Sequence, residues 1–194
     1  MSPLDRRELL ALLAAAPASL LIPLSPAIRE RASRHVAHAA AAGPFQPAFF
    51  TPAEWETVRL LADLIIPRDE RSGSATDAGV PEFIDFVMTD QPALQTPVRG
   101  GLAWLERESV RRFGRRFVEG NDLDRKGLLD DIAWPARARP ELSAGVAFFT
   151  RFRDLVANGF YSSKEGVKDL GYQGNTFVAE WTGCPEEVTR RLGL

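Results

Sequence analysis

Hydrophobic residues recur at helical spacing through most of the chain after residue 50. The clearest run follows Thr51-Pro52-Ala53-Glu54, which is a capping box with proline at the first helical position. Apolar side chains then return every three or four residues, at Trp55, Val58, Leu61, Ala62 and Ile65. This pattern predicts a helix that begins after Thr51 and ends before Pro67.

Two more helices are predicted before residue 115. Pro81 can start a second helix, because proline is well tolerated in the first helical turn. A third is expected from about Pro97 to Phe113, where Gly114 stops it. The polar residues 68–79, between the first and second helices, are predicted to form an exposed loop.

The second half of the chain predicts two further helices. Asn121 or Asp122 can cap a fourth helix, and a long one is expected from about Glu141 to Asn158, with Gly159 as its C-terminal cap. No alternating strand pattern appears. The predicted fold class is therefore all-α, a single compact multi-helix domain over residues 51–194 that ends in an irregular aromatic segment.

The segment after Gly159 mixes turn residues with aromatic ones. Exposed aromatic side chains on an irregular segment are typical of a docking surface. The alternative is a loop that folds back over its own domain. The residues predicted for a partner interface are Phe160, Tyr161, Tyr172, Asn175, Phe177, Trp181 and Cys184.

Cys184 is the single cysteine of the chain. In an exported protein such a residue can pair with another chain or remain a free thiol. The interpretation that we favour at this point is a partly buried small hydrophobic residue.

The N-terminus has the layout of an export signal. Arg6 and Arg7 precede an Ala/Leu-rich run at 11–24, and Ala37-His38-Ala39 is a small-residue site of the kind that signal peptidase cuts. Adjacent arginines before a weakly hydrophobic core predict a twin-arginine signal over residues 1–39.

An ordinary secretory signal and a retained membrane anchor are the alternatives. An anchor fits less well, because Pro17 and Pro23 interrupt the apolar run, which is shorter than the roughly 20 residues that span hydrocarbon. A flexible leader is predicted at 40–50. Export by the twin-arginine route would place the folded protein in the periplasm.

Charge and histidine content narrow the chemistry. The chain has 194 residues with 24 Lys and Arg against 26 Asp and Glu, so its net charge of −2 gives no reason to expect nucleic acid as a partner. Its two histidines, His35 and His38, lie within the predicted signal. A mature chain without them has no Ser-His-Asp, Cys-His or histidine-ligated metal site.

Two motifs that resemble ligand sites fail on inspection. Asp122 begins a sequence like a calcium loop, but the twelfth position is Ala133, which cannot supply the bidentate carboxylate. A dense basic cluster is interpreted as a solvated helix end or a protein contact, and consists of Arg111, Arg112, Arg115 and Arg116. No catalytic, cofactor-binding or metal-binding residue is therefore predicted in this chain.

Five separated stretches carry a family resemblance: Phe50–Glu54, Leu61–Asp69, Ala78–Asp85, Gly101–Leu105 and Asn158–Ser163. In this order they resemble the gluconate 2-dehydrogenase subunit 3 family. The ending, Gly171–Asn175 with Trp181–Pro185, is most similar to members that accompany periplasmic sugar or glycoside dehydrogenases, including the 3-oxidising kind.

The resemblance implies a small, non-catalytic subunit beside a large flavoprotein of the glucose-methanol-choline type. It implies that FAD and substrate oxidation belong to that partner, whose folding, stability and export this chain supports. Further implied partners are the twin-arginine translocase and a cytochrome c as electron acceptor. The implied location is periplasmic, with membrane association through partners.

Two hypotheses from other classes remain. The first is a free-standing periplasmic helical binding protein that recognises a ligand through the same aromatic residues, and it predicts a stable monomer. The second is an enzyme that works with carboxylates, tyrosine and arginine alone, and turnover of a sugar by the purified chain would establish it.

Overall fold

The computed structural model describes residues 24–172, 180, 183–184 and 186–193, with the side chains of 40–42 and 191–192 excepted. Over these residues the regular secondary structure consists of helices joined by turns and loops, with no strand. The predicted all-α class is therefore confirmed for them. The α-helices are α1 (Pro26–Ala42), α2 (Pro52–Ile65), α3 (Val80–Asp90), α4 (Gln95–Phe113), α5 (Asp122–Ala133), α6 (Ser143–Tyr161), α7 (Lys164–Asp169) and α8 (Glu186–Leu192). Short 3-10 helices span Pro92–Leu94, Phe117–Glu119 and Pro140–Leu142.

The predicted caps of α2 and α5 are confirmed. Thr51 Oγ1 accepts the backbone N–H of Glu54 at 3.3 Å, and Thr51 N–H donates to Glu54 Oε2 at 2.9 Å. Asn121 Oδ1 accepts the N–H of Asp124 at 2.8 Å. Each bond satisfies a helix-terminal N–H that has no partner within its own helix.

Helix α6 lies at the centre of the core. It packs against α1 to α5, and its side chains Phe152, Leu155 and Val156 are fully buried. The position of α6 explains why its sequence is apolar on several faces rather than along one stripe.

Gly159 was expected to end α6, and this expectation is wrong. The helix continues to Tyr161 and is followed by Ser162. A Cβ at Gly159 would lie 3.0 Å from Phe83 Cδ1 and 3.2 Å from Val80 Cγ1. The absence of a side chain at Gly159 therefore allows α3 to approach α6 closely. The local sequence does not reveal this tertiary contact.

The region before α2 is more ordered than predicted. Residues 26–42 form α1, and the buried carboxylate of Asp85 accepts the backbone N–H groups of Ala48, Phe49 and Phe50 at 2.8, 3.0 and 3.1 Å. The structure thus places residues 48–50 against α3 instead of in a flexible leader. The predicted signal stays a prediction, and residues 1–23 lie outside the described part of the chain.

The loop at 68–79 is exposed at residues 68–71, as predicted, but its later part packs against the domain, with Ser72, Ser74 and Ala75 buried. Ala75 is completely buried and its N–H donates to Ile66 O at 2.9 Å. The carboxylate of Asp77 accepts the N–H of Ser74 at 2.7 Å, and that of Asp63 accepts the N–H of Thr76 at 2.7 Å. Side-chain acceptors therefore satisfy the backbone of this loop.

None of the helices described here is both long enough and apolar enough to cross a membrane.

Candidate partner-binding surface

Helix α7 turns away directly from the end of α6. Ser163 Oγ accepts the N–H of Gly166 at 3.0 Å and donates to Phe160 O at 2.7 Å. A Cβ at Gly166 would overlap the carbonyl group of Phe160. The serine cap and the glycine together permit the sharp turn between the two helices.

Helix α7 has only six residues, but the loop at 68–79 holds it in place. Glu165 Oε1 accepts the N–H of Gly73 at 2.8 Å. Arg71 donates from Nη2 to Asp169 O at 2.8 Å, and its Nε lies 3.7 Å from Asp169 Oδ1. A helix this short has too few backbone hydrogen bonds to be stable by itself. These contacts therefore hold both ends of α7 in place.

Two large side chains lie exposed where α7 ends. Leu170 is 53% exposed and Tyr172 is 61% exposed, and we call these two residues the C-terminal surface. Tyr172 was predicted for the interface. Leu170 was missed in the sequence.

Apart from Cys184, the other predicted interface residues divide into three groups. Phe160 is completely buried and belongs to the core, so we remove it from the interface. Tyr161 is half-buried, with its ring 5.2 Å from that of Phe160 in an edge-to-face arrangement. Asn175, Phe177 and Trp181 lie outside the described residues, as do Arg6 and Arg7.

Cys184 is exposed and forms no disulfide within the chain. The favoured interpretation as a partly buried hydrophobic residue is therefore wrong. The residue before it is Gly183 with φ 99°, and Glu186 begins α8 shortly after. The exposed thiol is accessible to a partner chain.

Most of the predicted basic cluster is neutralised by carboxylates. Arg112 donates to Glu108 Oε1 and to Asp131 Oδ2, both at 2.6 Å, and Arg111 also donates to Glu108. Hydrogen bonds from Arg111 and Arg112 lower the pKa of Glu108 to about 2. Arg116 donates to Glu106 at 2.8 Å. Arg112 thus joins α4 to α5, Arg116 joins the following turn to α4, and Arg111 is paired within α4.

Burial shifts the pKa of one guanidinium and of one further carboxyl group. Arg153 and Asp154 are both almost fully buried in α6, with Arg153 Nη2 3.9 Å from Asp154 Oδ1. Burial lowers the pKa of the Arg153 guanidinium, and Asp154 opposes this effect. Burial also raises the pKa of Glu82, and the charge of Arg59 opposes this effect.

Glu82 borders a cavity of about 300 Å³ between α1 and the loop that precedes α3. Its wall is formed by Val36, Ala39, Gly43, Phe45, Thr76, Asp77, Ala78, Gly79 and Glu82. The hydroxyl of Thr76 and one oxygen of Glu82 are buried there without a hydrogen-bond partner. A small ligand with a hydrogen-bond donor fits this chemistry.

Across the ranges that the structure describes, no three His, Cys, Asp or Glu side chains are grouped so that they can hold a metal ion. Three of the carboxylates there hold other groups of the chain. Asp85 and Glu165 hold backbone N–H groups, and Glu108 holds two arginines.

Comparison with known proteins adds one finding. The sequence model of the family described as gluconate 2-dehydrogenase subunit 3 matches residues 52–179, from α2 to the segment beyond α7. No curated protein and no solved structure gave a significant match. Because the family model matches more than half of the chain, the protein belongs to the gluconate 2-dehydrogenase subunit 3 family.

Proposed function

We propose that this chain is the non-catalytic small subunit of a periplasmic dehydrogenase whose large subunit is an FAD-dependent flavoprotein of the glucose-methanol-choline type. The substrate would be a sugar or glycoside, with glycoside 3-oxidation as one specific form. The observation that carries this proposal is the family match over residues 52–179. That family is one of dehydrogenase subunits, so association with a larger dehydrogenase subunit follows from membership.

The chemistry is divided between the subunits. Oxidation of a sugar alcohol by flavin requires a dinucleotide-binding fold and a proton acceptor beside the reacting carbon. In this account the large subunit supplies both. This chain supplies a folded helical body in which carboxylates hold backbone N–H groups and arginines.

The proposed contact with the large subunit lies at the C-terminal surface, where Leu170 and Tyr172 extend from the fixed helix α7. A standard protein interface buries about 800 Å² on each partner, which is more than these two side chains supply. Asn175, Phe177, Trp181 and Cys184 are proposed to complete it. Because this chain would bind the folded form of the large subunit and not its unfolded form, binding stabilises the folded form by mass action.

The proposed export step depends on Arg6 and Arg7. Twin-arginine export carries folded proteins, and a flavoprotein that loads FAD in the cytoplasm must cross the membrane folded. A signal on the small subunit can serve both chains if the complex forms first. The translocase is then a partner, as is a cytochrome c that accepts the electrons.

Cell fractionation tests this proposal. Both arginines are replaced by lysine (Arg6→Lys and Arg7→Lys), which keeps the charge, and the location of the large flavoprotein is followed by immunoblotting and flavin fluorescence. We expect the flavoprotein to accumulate in the cytoplasm of the variant and in the periplasm of the wild type. Periplasmic flavoprotein in the variant strain would contradict the escort role.

The cavity beside Glu82 favours one alternative, a free-standing binding protein that holds a small ligand. That alternative predicts a stable monomer in native extracts. The two functions therefore differ in the size of the native species, which gel filtration of an extract measures.

A further inference from the structure

Helix α1 packs one face against the folded body. Ala32 in its middle is completely buried, and Leu24 just before it is 6% exposed. Ile28 and Val36 are partly buried against the same core cluster. This spacing places one face of α1 on α3 and α6.

One contact shows mutual fit between α1 and the rest of the domain. Gly79 has φ 73°, and a Cβ there would overlap Val36 Cγ1. The methyl group of Val36 therefore occupies the space that the missing side chain of Gly79 leaves. A segment that is removed during maturation does not need such complementary packing.

Polar contacts continue the interface. Ser33 Oγ donates to Ser162 O at 3.3 Å, across the end of α6. Arg31 Nη2 donates to Asp90 Oδ1 at 2.6 Å, at the end of α3. The ring of His35 lies 5.0 Å from that of Phe86 and 6.3 Å from that of Phe45.

The predicted cleavage site Ala37-His38-Ala39 lies inside this helix, which continues to Ala42. Proteases act on exposed, flexible segments, and a packed helix resists them. Cleavage after Ala39 would also remove Ala32 and Val36 and uncover the apolar surface of α3 and α6 that they cover.

We infer that helix α1 is retained in the mature protein as part of its folded domain, so that any removal of the export signal takes place before Leu24. The processing half of this inference, that any cleavage takes place before Leu24, rests on the proposed export role. The structural half, that α1 is part of the folded domain, does not. Retention also keeps His35 and His38 in the mature chain, contrary to the histidine-free body expected from the sequence.

Intact-mass measurement of the exported protein tests the processing half. The wild-type product is expected to contain residues 24–42, whether or not residues before them are removed. The Ala37→Glu variant is expected to give the same product plus the mass of the substitution, although glutamate blocks a small-residue cleavage site. A wild-type N-terminus at Ala40, which the variant fails to produce, would overturn the inference.

Thermal unfolding of the full chain tests the structural half, whether or not the protein is exported. Ala32→Glu places a charge at a fully buried position, and Ala37→Glu places the same charge at an exposed position of the same helix. We expect Tm to fall by about 5 °C or more in Ala32→Glu and to change by less than about 1 °C in Ala37→Glu.

A milder variant covers the case in which Ala32→Glu does not fold. Ala32→Ser is expected to lower Tm by a smaller but measurable amount. Equal Tm values for wild type and both Ala32 variants would show that α1 is not part of the folded domain. If the arginine replacements leave export unchanged, the proposed function fails while these Tm values still decide the role of α1.

Discussion

The carboxylate of Glu165 accepts a 2.8 Å hydrogen bond from the backbone N–H of Gly73, a residue 92 positions earlier in the chain. This bond joins the loop at 68–79 to helix α7. Since the exposed Leu170 and Tyr172 follow directly after α7, the orientation of the C-terminal surface depends on a loop from the first half of the domain.

Replacement of Glu165 tests this dependence. Glu165→Ala removes the acceptor and should destabilise the domain by about 1 kcal/mol, with faster amide exchange at residues 71–75. Glu165→Gln keeps a side-chain oxygen at the same place and should retain most of the protection. Hydrogen exchange followed by mass spectrometry measures both. Equal exchange in Glu165→Ala and wild type would show that the bond does not hold the loop.

Substitution by alanine should have opposite effects at Phe160 and Tyr172: at Phe160 it should lower stability, and at Tyr172 it should weaken binding. Phe160→Ala empties a fully buried site, and we expect the free energy of unfolding of the isolated chain to fall by about 3–5 kcal/mol. Tyr172→Ala changes a side chain that is 61% exposed and should alter stability by less than about 0.5 kcal/mol.

For affinity to the large subunit, we expect the larger loss in Tyr172→Ala and the smaller loss in Phe160→Ala. Tyr172→Ala is expected to weaken the complex with the large subunit by about tenfold or more, as truncation of an aromatic interface residue commonly does. Titration of the large subunit with each folded variant measures this. Unchanged affinity in Tyr172→Ala would remove the C-terminal surface from the interface.

Local sequence signals predicted the helix termini well. The Thr51 capping box and the Asn121 cap are formed, and Gly114 ends α4 with φ 69° as expected. These features depend on residues within one helical turn of each other, so the sequence carries them directly.

Features that depend on tertiary packing were missed. Gly159 was interpreted as a cap because nothing near it in the sequence reveals the contact with Phe83. Phe160 was placed on the surface because turn residues follow it, whereas α6 carries it into the core. Helix α1 was missed because an Ala-rich segment beside a predicted export signal suits a leader equally well, and the burial of Ala32 is visible only in the structure.

Glu108 should give the domain an acid-sensitive step. Its pKa is lowered from 4.5 to about 2 by Arg111 and Arg112, so its contribution to stability is complete above about pH 4.5 and is lost as pH falls towards 2. Glu108→Gln should cost about 1–3 kcal/mol at pH 7 and show a smaller further loss on acidification. Urea denaturation at pH 7 and pH 3 measures this, with the exposed Glu70→Gln as control. Equal acid sensitivity in wild type and Glu108→Gln would contradict the assignment.

Glu82 should have the opposite effect. Burial raises its pKa, so its favourable contribution is complete below about pH 4.5 and is lost as pH rises through the folded-state pKa. We expect Glu82→Gln to raise Tm at pH 7 by about 2 °C, with the difference disappearing near pH 4. Differential scanning calorimetry at both values of pH measures this, again beside Glu70→Gln. A lower Tm in Glu82→Gln at pH 7 would show that its charge is favourably paired.

The central claim is that this chain lends a binding surface to a separate redox subunit. Purification of the chain from its native source, followed by separation of the subunits and an absorption spectrum of each, tests it most directly. We expect a large partner that carries the whole flavin spectrum and a small subunit without bound flavin. A small chain that elutes as a monomer, or that retains a tightly bound prosthetic group after separation, would contradict it.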